Sequence, residues 1–232
     1  YSQGICLPLF TPLKHSDGRL EDPLDIITSI TGVFGDAMRL GGRQKDCLYE
    51  AVAFVAERNS YAEYGIAALD KALDIVNDDR AAVIQDRMRY IFKKNTFRDG
   101  SICIKDKKIN VFRLSKFPES TQSLIVEIVL TYIWRLANTG VFLKNGLCLF
   151  VDECQNLNWA KTGIISTILS EGRKLGLQLI LITQSLGGNS RADIRRCLLQ
   201  AGTQLYFSPP EDETVLVAKL IGAKRSIYWQ MR

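Results

Sequence analysis

The stretch 146–185, GLCLFVDECQNLNWAKTGIISTILSEGRKLGLQLILITQS, limits what this chain can fold into more than any other. An unbroken apolar run from Leu147 to Val151 has strand length and reads as a central parallel strand buried on both faces. It stops abruptly at two carboxylates, Asp152 and Glu153. A second such run, 177–183, stops at Gln184. Between them, 160–175 carries Ile164, Ile165, Ile168, Leu169 and Leu175 at helical spacing. The order is strand, acid pair, helix, strand, amide, which predicts one βαβ unit with two polar tips on a single edge. Open α/β sheets bind their ligands at that carboxyl edge.

A carboxylate at the end of a buried strand can hold Mg²⁺, usually through water, while the next activates the water that attacks a phosphate. The run ending in Asp152 and Glu153 therefore reads as a Walker B strand, with Asp152 for the metal and Glu153 as base. Taken alone, an acid pair after an apolar run more often opens a solvated loop. The segment that follows shifts the balance.

That segment, Glu171-Gly-Arg-Lys-Leu-Gly-Leu-Gln-Leu-Ile-Leu-Ile-Thr-Gln184 after the acid pair, resembles the HerA/FtsK superfamily of hexameric P-loop motors, which includes conjugation ATPases of the TraG type. The resemblance covers the latter half well and the first half loosely. It implies a RecA-like P-loop NTPase core, a parallel sheet flanked by helices, with an all-helical layer or insertion. By the same resemblance Asp152 and Glu153 match the Walker B pair, Gln184 the polar sensor on the next strand, and Arg173 the arginine finger. Such a glutamine orients the attacking water or senses the γ-phosphate without carrying charge, and such an arginine acts on a neighbour's ATP. The plain alternative for Arg173 is a surface ion pair with Glu171, worth little.

One departure is large. No Gly-x4-Gly-Lys-[Ser/Thr] phosphate loop occurs anywhere in the chain. Truncation upstream of Tyr1 explains this economically, and a fragment of this kind is expected to bind nucleotide poorly and not to hydrolyse it. A subunit that has lost ATP binding is the alternative.

At 232 residues, 47% hydrophobic and 24% charged, the chain suits one large α/β domain or a domain plus a subdomain. Its net charge of +5 is compatible with nucleic acid without being diagnostic. The six cysteines are scattered with no CxxC pair, which fits reduced, buried thiols in the cytoplasm rather than a disulfide framework or a zinc site. The single histidine, His15, lies in a polar loop without a ligand-spaced partner. No apolar run reaches the length of a membrane span.

Three regions follow: by pattern an extended opening segment, 1–23, and a helical layer or subdomain, 24–95; and, by the resemblance, a RecA-like core, 96–232. In the helical layer, Leu24, Ile27, Ile30, Thr31 and Phe34 share one face. A second helix follows the Gly41-Gly42 break, Ser60-Tyr-Ala-Glu63 has the form of a capping box for a third running through Val76, and Asn77 or Asp78 can cap a fourth. Arg39, Arg43 and Lys45 around the glycine pair could contact phosphate, but an exposed helix junction is the simpler reading. In the core, 108–115 reads as a strand and 119–137 as an apolar helix crossing to the Walker B strand. Arg191, Arg195 and Arg196 mark a short basic helix; 203–207 reads as a strand, and Ser208-Pro-Pro-Glu211 opens a last helix.

The resemblance implies the C-terminal part of an ATP-hydrolysing, Mg²⁺-dependent DNA translocase or helicase-like motor, a hexamer on double-stranded DNA. Conjugation, chromosome processing and defence are all open settings. A HerA-like subunit of a phosphorothioation-dependent restriction system, with nuclease or other defence partner subunits, is the favoured one, although no residue chooses among them. Two rivals remain: a non-catalytic DNA- or partner-binding scaffold with a RecA-like fold, and a metal-dependent nuclease built on Asp152 and Glu153. The nuclease lacks the further carboxylates or histidine of a two-metal site.

Overall fold

In a computed structural model, residues 5–76, 78–100, 109–157, 159, 163–184, 196, 198–207 and 211–220 are described. The architecture is mixed α/β: among these residues there are eight α-helices and two parallel two-stranded sheets. The chain divides into two compact units, Tyr1–Val141 and Phe142–Arg232.

The first unit is helical around a minimal sheet. Strand β1 (Ile5–Cys6) pairs in parallel with β2 (Phe97–Arg98). Between them run α1 (Pro23–Ala37), α2 (Gly42–Glu57), α3 (Ser60–Tyr64), α4 (Ala67–Val76) and α5 (Ala81–Lys94). Helix α1 starts where Asp22 accepts a hydrogen bond from the Leu24 amide at 2.8 Å and Pro23 supplies a pre-set φ. Its buried face carries Ile26, Ile27, Ile30 and Phe34; Leu24, expected on that face, is exposed. Helix α2 is held at its start by half a capping box, the Gln44 side chain accepting from the Gly41 N–H at 2.9 Å.

The helix expected from Ser60 through Val76 is broken at Gly65. Its φ of +60° lies in the left-handed region, and a Cβ there would sit 2.6 Å from the Phe97 carbonyl oxygen. The break lets the Ile66 amide bond that same carbonyl at 2.8 Å, tying the helices to β2. The capping box expected of Ser60 and Glu63 does not form; Asn59 occupies the N-cap position in a left-handed conformation with no side-chain bond. Asn95, also left-handed, closes α5 and bridges the broken pair, donating to the Tyr64 carbonyl and accepting from the Ala67 amide.

Helix α6 (Glu119–Asn138) belongs to this first unit and packs against α1. Arg135 on α6 is buried and forks onto Glu21, with two further N–H groups on the Leu9 and Thr11 carbonyls. Such a buried pair holds because four of the five guanidinium N–H donors find acceptors. The crossover expected from a strand at 108–115 is not realised: residues 109–114 form no strand, and Ile109 is 93% exposed. Alternating apolar residues make a strand only when a neighbour supplies the ladder.

The second unit holds the other sheet. Strand β3 (Leu147–Val151) has the expected bounds and pairs in parallel with β4 (Leu177–Leu181), Leu147 opposite Leu177 through Val151 opposite Leu181. The link contains a 3₁₀ turn (Cys154–Asn156), α7 (Ile164–Glu171) and a second 3₁₀ turn (Gly172–Leu175). Gly176, at φ +79°, turns the chain into β4 so closely that a Cβ would lie 2.2 Å from the Phe142 carbonyl oxygen. Contrary to the expectation of burial on both faces, the strands alternate: Cys148, Phe150, Gln178 and Ile180 are exposed, whereas Val151 and Leu177 are buried. Residues 203–207 form no strand, and α8 (Glu211–Leu220) ends the described chain. The expected start of that helix at Ser208 and Pro209, and Arg191 and Arg195 of the basic cluster, lie outside the described residues; Arg196 is exposed.

Candidate functional site

The parallel register of β3 and β4 brings their carboxyl ends side by side. Ladder bonds continue past the strands, the Ile182 amide donating to the Val151 carbonyl at 2.9 Å and the Cys154 amide to the Ile182 carbonyl at 3.0 Å. The chain leaving β3 therefore stays fastened to the end of β4 while it turns. The turn is made at Glu153, whose φ of 52° and ψ of 39° are left-handed, a rare and costly conformation for a residue with a Cβ. Asp152 steadies it by accepting the Glu153 N–H at 2.9 Å.

This geometry joins three of the polar residues singled out by the sequence. Gln184 donates through Nε2 to Oε1 of Glu153, and Asp152 stands exposed beside them. Two further side chains, not expected from the sequence, complete the cluster. Gln155 donates through Nε2 to Oε2 of Glu153, and the Thr183 hydroxyl donates to Oε1 of Gln155 at 2.9 Å. Their spacing, two residues after the acid and one before the terminal amide, was the available signal.

Beneath the cluster, Cys154 is fully buried, and the Trp159 indole donates to its carbonyl at 2.9 Å. Burial pushes the Cys154 thiol up to about 11, and the nearby Asp152 and Glu153 carboxylates act in the same direction. A thiol so raised is an inert packing group rather than a nucleophile.

Arg173 is not brought to this cluster. It sits exposed on the 3₁₀ turn before β4, at the amino end of a strand roughly 17 Å long, while Glu153 and Gln184 lie beyond the carboxyl end. Among the described residues it makes no ion pair, so the pairing with Glu171 considered above is not formed.

No group of three or more metal-donor side chains converges among the described residues. A single carboxylate suits Mg²⁺, which keeps most of its water and takes oxygen ligands from phosphate. The residues present thus fit a Mg²⁺–nucleotide contact at Asp152, with Oδ1 already engaged by the Glu153 amide.

At the basic junction around Gly41-Gly42, Arg39 and Arg43 are exposed, as an exposed helix junction predicts. Lys45 pairs with Asp36, and Arg87 donates to the Met38 and Arg39 carbonyls, closing the α1–α2 corner. The four described cysteines are free, Cys47 and Cys154 buried, Cys6 and Cys148 exposed. No helix among the described residues is long and apolar enough to cross a membrane.

Comparison with known protein families, curated proteins and solved structures gives no match.

Proposed function

We propose that this chain carries the nucleotide-hydrolysing edge of a RecA-like DNA motor of the HerA/FtsK kind. The observation that carries this reading is the β3–β4 register, which sets Glu153 and Gln184 in hydrogen-bond contact at one carboxyl edge with Asp152 beside them. Bound Mg²⁺–ATP would supply the phosphoryl group and a metal charge to offset its oxygens. Asp152 would hold the metal. Glu153 takes the proton of the attacking water, and Gln184 offers a neutral amide that registers the terminal phosphate. Arg173, at the far end of β4, serves the nucleotide of a neighbouring subunit in a ring, a hexamer by family resemblance. Double-stranded DNA is the polymer moved, in the cytoplasm, with a phosphorothioation-dependent restriction system and its nuclease partners as the favoured setting. This reading requires a phosphate loop, and none of the form Gly-x4-Gly-Lys-[Ser/Thr] occurs among these residues.

The test is ATP hydrolysis by the full-length protein, with and without double-stranded DNA, beside Glu153→Gln. DNA-stimulated turnover that drops about 100-fold or more in the variant is the expected result. A parent that binds DNA or partner subunits yet hydrolyses nothing sinks the motor and leaves a scaffold.

A further inference from the structure

Gln155 has no part in the chemistry described so far, yet among the described residues it makes one of the two side-chain bonds to the Glu153 carboxylate. An ionised carboxylate only accepts, so the amide must present its nitrogen to Glu153 and keep its oxygen for a donor. The Thr183 hydroxyl is that donor, at 2.9 Å. Thr183 in turn adjoins Gln184, which holds the other carboxylate oxygen. Three side-chain bonds and the Thr183–Gln184 backbone close a ring that runs from the turn after β3 to the end of β4 and back.

The two bonds to Glu153 differ in setting. The Gln155–Glu153 and Thr183–Gln155 bonds are part-buried, whereas the Gln184–Glu153 bond is exposed. An exposed bond exchanges readily with water or an incoming oxygen, and a part-buried one whose amide is fixed from behind does not. Gln155 is also rooted. Its 3₁₀ turn is pinned by the Cys154 amide on the Ile182 carbonyl and by Trp159 on the Cys154 carbonyl. The left-handed backbone of Glu153 is strained, and a residue of this kind stays in place only when its surroundings over-determine it.

We propose that Gln155, oriented by the Thr183 hydroxyl, is the positioning residue that keeps the Glu153 carboxylate aimed when Gln184 lets go of it. Gln184 is the exchangeable hand and Gln155 the fixed one. This deepens the motor reading and rests on it for its consequence in turnover, while the latch itself is a matter of hydrogen bonds.

Two readouts on the full-length protein separate these levels. In steady-state ATP hydrolysis, Gln155→Ala is expected to lower kcat about 10- to 100-fold with KM within about twofold. Thr183→Val, which keeps the shape and deletes the hydroxyl, lowers kcat in the same direction, and Thr183→Ser restores it. In the protein labelled with ¹⁵N-glutamine, Glu153→Ala shifts the side-chain amide resonances of both Gln155 and Gln184. Thr183→Val shifts that of Gln155, and Thr183→Ser leaves it near its original position. Wild-type turnover with kcat unchanged in Gln155→Ala and Thr183→Val overturns the proposal, as does a Gln155 resonance indifferent to Glu153→Ala and Thr183→Val. If the parent hydrolyses no ATP, the resonances still decide the latch, and only the motor reading falls.

Discussion

Phe34 and Phe150 are the same side chain in two settings. Phe34, on α1 of the helical unit, has no exposed surface; Phe150, on β3 of the second unit, is 70% exposed. Helices α1, α2, α4, α5 and α6 pack on one another in a chain of neighbours, so each apolar stripe has a partner. Strands β3 and β4 have each other at one edge and α7 beside β4, and a two-stranded sheet covered on one side buries alternate residues only. The closed unit contains the buried Arg135–Glu21 ion pair and the aromatic contacts, such as Phe10 against Tyr61, whose hydroxyl donates to the Leu7 carbonyl at 2.8 Å. The polar cluster sits instead at the tip of the open sheet, where its groups meet solvent.

The largest consequence of that contrast is expected at Phe34. Phe34→Ala should destabilise the helical unit by about 4 kcal/mol, read as a lowered denaturation midpoint, because an enclosed ring leaves a cavity. A loss below about 1 kcal/mol would show the core to be looser than described. Next comes Gly176→Ala, expected to cost roughly 3 kcal/mol in the second unit, since both its φ and the Phe142 carbonyl exclude a Cβ. Unchanged stability there would break the described entry into β4.

The second unit should also carry an alkaline signature. The Cys154 thiol titrates higher folded, at about 11, than its reference of 9.0. The fold therefore favours the protonated thiol, and that stability is complete below pH 9 and lost as pH rises toward 11. The loss is on the order of 2 kcal/mol, measured as chemical-denaturation midpoints across that range in the absence of Mg²⁺. Cys154→Ala should flatten the slope, and a slope unaffected by that change would assign it to other groups. Smallest of all, Phe150→Ala is expected to change stability by less than about 0.5 kcal/mol. A cost near that of Phe34→Ala would mean that the open face of the sheet is covered in solution, erasing the comparison.

The sequence by itself determined whatever rests on neighbours along the chain. The apolar run at 147–151 became β3 with the same bounds, and the helical repeats of 24–95 became helices because i, i+3 and i+4 positions share a face without help from elsewhere. The acid pair and Gln184 were legible as strand tips, and the inferred pairing of their strands puts Glu153 and Gln184 together. Tertiary structure decided the rest. Whether 109–114 and 203–207 became strands depended on a ladder partner that no local pattern encodes. The packing of α6 on α1 and the meeting of its Arg135 with Glu21 join residues far apart in sequence. The break at Gly65 followed from the approach of Phe97, and the role of Gln155 from a Thr183 hydroxyl at the end of another strand. Periodicity is a property of a few consecutive residues, whereas pairing, burial and the aiming of a side chain are fixed by atoms that only the folded chain brings into reach.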